Sequence, residues 1–76
     1  DKSTSTLVKP VVGRTIAVDP KVIPYGSRVY IPVLDKTFIA QDCGGGIIGN
    51  RIDIFMATER EARNWGVRKI EIHILN

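Results

Sequence analysis

Apolar and polar positions alternate with a two-residue period along much of this chain, and that period predicts strands. Thr15-Ile16-Ala17-Val18 is the first β-prone run. Asp19-Pro20 closes it, because the residue before a proline is held extended and proline donates no hydrogen bond. Ile23-Pro24-Tyr25-Gly26 reads as a turn. Arg28-Val29-Tyr30-Ile31 is the next strand and ends at Pro32; after the tight connection Leu34-Asp35-Lys36, Thr37-Phe38-Ile39-Ala40 returns to complete a hairpin. Arg51 to Met56 is a fourth strand, with Ile52, Ile54 and Met56 on one face and Asp53 and Phe55 on the other. In the last strand Ile70, Ile72 and Ile74 alternate with Glu71, His73 and Leu75.

The period changes once. Thr58-Glu59-Arg60-Glu61 is a capping box that opens a helix over Glu59 to Trp65, and Gly66 stops it as a left-handed cap. Ala62 and Trp65, three residues apart, are expected to face inward together. Many short strands with one short helix predict a closed or nearly closed β-barrel, not a bundle. Residues 1–12 are polar and irregular and read as the remnant of a longer parent or of a chain whose leader has been removed; the barrel domain is expected over residues 13–76.

Composition narrows the function classes. With 43% hydrophobic and 25% charged residues in 76, the chain is one folded domain and not a disordered segment. The net charge of +3 favours anionic partners, but the cationic residues are scattered and form no run, which argues against nucleic acid. No stretch of about 18 apolar residues is present, so no membrane span is expected. Cys43 is the single cysteine and His73 the single histidine, so neither an intrachain disulfide nor a structural zinc site is expected, and no metal or cofactor is implied.

Three aspartates stand at strand ends or within a strand beside apolar residues: Asp19, Asp42 and Asp53. An unpaired buried carboxylate costs several kcal/mol, so each needs a reason. Asp19 before Pro20 also suits a plain turn, and Asp42 before a glycine run could accept loop donors. Asp53 is harder to explain that way, because it sits inside Ile-Asp-Ile-Phe, where aspartate is depleted. Gly44, Gly45 and Gly46 mark a loop where backbone passes close to something.

The stretch from Gly13 to Gly26, Gly-Arg-Thr-Ile-Ala-Val-Asp-Pro-Lys-Val-Ile-Pro-Tyr-Gly, and the stretch from Asp42 to Asp53, Asp-Cys-Gly-Gly-Gly-Ile-Ile-Gly-Asn-Arg-Ile-Asp, together resemble the two signatures of the three-aspartate (3D) domain. That domain occurs in bacterial wall enzymes, including Gram-positive stationary-phase muralytic proteins, and is similar to the catalytic barrel of membrane-bound lytic transglycosylase A. The resemblance implies a mainly β fold, a small six-stranded double-psi β-barrel with one short helix. It implies a secreted, wall-located or phage-associated protein that cleaves the MurNAc–GlcNAc bond of peptidoglycan with formation of 1,6-anhydro-MurNAc. The family's catalytic acid maps to Asp53, with Asp42 and Asp19 shaping the acidic site. Gly44, Gly45, Gly46, Gly49, Asn50 and Tyr25 are the expected glycan-binding positions. Burial between isoleucines and repulsion from Asp42 would both favour a protonated Asp53. A non-catalytic glycan-binding or wall-loosening barrel is the alternative, ahead of an inactive spacer.

Cys43 and Ile48 stand where the family usually carries threonine and lysine. The family's opening strand has no counterpart before Thr15, so a strand-swapped homodimer or a partner segment is expected to supply it.

Overall fold

The computed structural model of the chain describes residues 9–41 and 46–75. Its elements are β1 (Thr15–Val18), β2 (Arg28–Ile31), β3 (Lys36–Gln41), β4 (Ile52–Ile54), α1 (Glu59–Trp65) and β5 (His73–Leu75), with a 3₁₀ turn at Pro32–Leu34. The five strands form one mixed sheet in the order β4-β1-β3-β2-β5. The β2–β3 hairpin is antiparallel, with Val29 opposite Phe38, and β1 runs parallel to β3, with Ile16 opposite Ala40. β4 and β5 lie antiparallel on β1 and β2 respectively.

This sheet corrects the expectation of a closed six-stranded barrel. Among the described residues there are five strands, and the two outermost, β4 and β5, are three residues each and do not pair with one another. A barrel closes only when its edge strands find partners, and among the described residues neither β4 nor β5 has an outer partner. The sixth strand has no counterpart among the described residues.

One face of the sheet carries the core: Ile16, Val18, Ile23, Val29, Ile31, Phe38 and Ala40, with Ile52, Ile54, Ile70 and Ile72 packed against it. The pleat explains the selection, since Val29 and Ile31 alternate with Arg28 and Tyr30, and Phe38 and Ala40 with Thr37 and Ile39. Ile74 keeps the same phase as Ile70 and Ile72 but stands at the open edge and is exposed.

Two turns hold the hairpin in place. Ser27 closes a β-turn onto Pro24, with its amide N–H and its hydroxyl both donating to the Pro24 carbonyl. Gly26 supplies the positive φ (91°) at the third position, where a β-carbon would be strained. The Gly26 N–H then donates to Ala40 O at 2.8 Å, docking the turn on β3. At the hairpin tip Asp35 takes a left-handed conformation (φ 49°), and its carboxylate accepts a 2.7 Å hydrogen bond from the Tyr30 hydroxyl.

The helix spans the expected residues for the expected reason: Thr58 Oγ1 accepts from the Glu61 N–H at 3.1 Å. Its packing differs from expectation. Ala62 is exposed, and Trp65 is half-buried with the Arg68 guanidinium 4.0 Å over its ring. Seven residues give too short an apolar stripe to enter a core already filled by strands.

Phe38→Ala is expected to lower the unfolding free energy by about 3–5 kcal/mol. That is a large part of the total, on the order of 4–11 kcal/mol for a chain of this size. Urea titration followed by circular dichroism measures it, and a loss under about 1 kcal/mol would place Phe38 outside the core.

Candidate functional site

The site begins with β1, whose four residues are all buried. Ile16 and Val18 enter the core, so Thr15 and Ala17 face the opposite side of the sheet. Both are small, and over them lies an open cleft of about 490 Å³. Its walls are Pro10, residues 53 to 59 of the β4–α1 connection, and Ala62 on the helix.

Asp53 enters this cleft by register. It stands opposite Ala17 across the antiparallel β1–β4 pair, so it shares the face of Ala17 while Ile52 and Ile54 turn to the core. Its side is exposed. The expected burial of Asp53 between two isoleucines is not what the structure shows, since Ile52 and Ile54 pack against the core. Phe55, two residues on, lies on the same side, is 39% exposed and also lines the cleft. Its N–H donates to Thr15 O at 3.1 Å, which extends the β1 attachment one step past β4.

Thr15 organises the far side. Its hydroxyl accepts from the Val11 N–H and donates to Gln41 Oε1, both at 2.8 Å. Gln41 flanks Ala17 in the parallel β1–β3 register, just as Asp53 flanks it in the antiparallel one. Gln41 and Asp53 therefore stand two strand spacings apart, about 9–10 Å.

Asp19 is held differently from Asp53. One carboxylate oxygen accepts from the Lys21 N–H at 2.9 Å and the other from the Gly49 N–H at 2.8 Å. The first bond is a local turn, and the second ties the end of β1 to the loop that leads into β4. Gly49 turns back at φ 75° as it makes this contact, a conformation that suits glycine. The backbone donors of Gly49 and then Lys21 pull the Asp19 carboxyl below its usual range. Both oxygens are thus committed to backbone, and Asp19 fixes a loop without lining the cleft.

Asp42, Gly44 and Gly45, expected in the acidic site and its glycine loop, lie outside the described residues, as does Cys43. Gly46, Ile48 and Asn50 are exposed in the loop before β4, and Tyr25 is exposed in the Pro24–Ser27 turn. None of these, nor Gly49, is among the residues that line the cleft. Of the expected positions among the described residues, the structure brings Asp53 alone into it. Phe55, Thr15, Ala17 and Glu59 were not selected from the sequence. The alternation that paired Asp53 with Phe55 on one face was the available signal for Phe55.

The family model of the 3D domain matches residues 14–76. The chain is 46% identical over 63 residues to the cell wall-binding protein YocH of Bacillus subtilis (strain 168); the match covers 83% of this chain and 22% of that protein. It is 44% identical over 63 residues to YabE of the same organism, provisionally named a cell wall shaping protein, covering 83% of this chain and 15% of the relative. It is also 44% identical over 61 residues to the SPbeta prophage-derived uncharacterized protein YorM, covering 78% of this chain and 26% of that protein. The chain thus spans about a quarter or less of the length of these relatives.

The depressed Asp19 carboxyl makes stability depend on pH with a fixed sign. Its contribution is fully present above the ordinary carboxyl range, about pH 4, and is lost as pH falls through the lower folded value. Asp19→Asn, which keeps one acceptor oxygen, is expected to remove that acid-range component and to speed hydrogen exchange at the Gly49 amide at least several-fold. Unchanged Gly49 protection in the variant would show that the carboxylate is not what holds the loop.

Proposed function

This chain belongs to the 3D domain family, and from that premise we propose that it is a peptidoglycan-acting module, a lytic transglycosylase with Asp53 as acid and then base. The observation that carries the reading is the placement of Asp53 on the wall of an open cleft, on the same side of β4 as the Phe55 ring. The named wall-binding and wall-shaping relatives support a substrate in the cell wall.

The chemistry asks for one carboxyl group with two successive duties. Protonated Asp53 gives its proton to the glycosidic oxygen as the bond to MurNAc C1 breaks, releasing the GlcNAc hydroxyl. The MurNAc 6-hydroxyl attacks C1 and passes its own proton to the Asp53 carboxylate. The ring closes as 1,6-anhydro-MurNAc, Asp53 is protonated again, and no water is consumed. A glycosidase of the ordinary kind needs a second carboxylate as nucleophile or base, and this route does not. A glycan lying along the cleft would cover the exposed Asp53 and exclude water from it. Asp42, which follows Gln41 in sequence, is the proposed second acidic group, acting by repulsion on Asp53. Asp19 serves by holding the loop before β4. The net charge of +3 draws the domain toward anionic wall polymers.

A second reading, a glycan-binding module without catalysis, is favoured by the exposure of Asp53 and by the name of YocH. Product analysis separates the two. Purified peptidoglycan incubated with the chain is expected to release muropeptides ending in 1,6-anhydro-MurNAc, detected by mass spectrometry, and Asp53→Asn is expected to release none. Because Asp53 is exposed, that substitution should change stability by less than about 1 kcal/mol. Sedimentation with the wall and no soluble products would establish the binding module; Asp53→Asn unfolding outright would assign that residue a structural role.

A further inference from the structure

We propose that Phe55 is the stacking platform of the cleft, its ring carrying the apolar face of one pyranose so that the adjoining glycosidic oxygen lies at Asp53. The proposal rests on the reading that the ligand is a glycan strand. The chain's aromatic residues are Tyr25, Tyr30, Phe38, Phe55 and Trp65, and the structure gives four of them other duties or places. Phe38 is buried in the core. The Tyr30 hydroxyl is bound to Asp35 and its ring lies 5.9 Å from that of His73. Trp65 is covered by Arg68. Tyr25 stands in the Pro24–Ser27 turn, away from the cleft walls. Phe55 lines the cleft.

Its position is determined by backbone, not by apolar attraction. Ile52 and Ile54 take the core side of β4. The bond from the Phe55 N–H to Thr15 O continues the β1–β4 pairing by one residue, so Phe55 falls on the Asp53 side. A 39% exposed phenylalanine fixed there leaves apolar surface in water beside a carboxylate. Two strand residues span about 6–7 Å, the scale of a sugar ring. Sugars present a flat patch of C–H groups with hydroxyls at the rim. A ring that covers the patch and a carboxylate that accepts at the rim are complementary to that shape, and the small side chains of Thr15 and Ala17 lie beneath the cleft.

The test measures binding of a soluble peptidoglycan tetrasaccharide, two GlcNAc–MurNAc units, by calorimetry in the Asp53→Asn background, where turnover cannot interfere. Phe55→Ala is expected to weaken binding roughly tenfold or more. Phe55→Leu, which keeps apolar volume without a flat face, should weaken it comparably, while Phe55→Trp should restore or exceed the original affinity. Urea midpoints check that each variant is folded. Affinity unchanged in Phe55→Ala, or fully kept by Phe55→Leu, would overturn the platform even if wild-type protein forms 1,6-anhydro products. Loss of binding in Phe55→Ala with no products from wild type would sustain the platform while the transglycosylase reading fails. Failure of both the wild-type and the Asp53→Asn protein, each with intact Phe55, to bind the tetrasaccharide would overturn both.

Discussion

The structure depends on a single short strand buried from both sides. β1 pairs with β3 on one edge and β4 on the other, in opposite directions, and all four of its residues are buried. Its alternation is one of size as well as of facing. Ile16 and Val18 supply bulk to the core, and Thr15 and Ala17 keep the other face shallow. A large aliphatic residue at either of the latter positions would fill the space in which Asp53 and Phe55 stand. The core and the cleft are therefore two sides of the same four residues.

Polar groups are handled so that this burial is tolerable. Thr15 is fully buried, yet its hydroxyl both accepts from Val11 and donates to Gln41. Among the described residues no buried side-chain nitrogen or oxygen lacks a partner. Asp19 applies the same logic at the end of β1, spending its two oxygens on backbone donors from two segments. This separates the aspartates by role. A carboxylate saturated by amides is held ionised and fixes geometry, whereas Asp53, exposed on a cleft wall, keeps its oxygens available to a ligand.

If Asp53 is the acid, as proposed, its exposure in the free chain leaves its surroundings to be completed by the bound substrate. On that reading the glycan covers Asp53, and the proposed Phe55 platform two residues away holds it there. The binding and cleaving readings then share one surface and differ in whether a bound sugar places its glycosidic oxygen at Asp53.

Much of this was legible in the amino-acid order. β1, the β2–β3 hairpin, the β4 alternation and the helix from Glu59 to Trp65 follow from side-chain period, proline and glycine punctuation and the Thr58 cap, all of which act within a few residues. The two signatures identified the family, and the period placed Asp53 and Phe55 on one side of a strand. Tertiary structure decided the rest. The open sheet, the shallow face of β1, the commitment of Asp19 to Gly49 thirty residues away and the absence of Tyr25 from the cleft all depend on which strands lie side by side. Local period determines where a side chain points relative to its own strand; only pairing between distant segments determines what it points at.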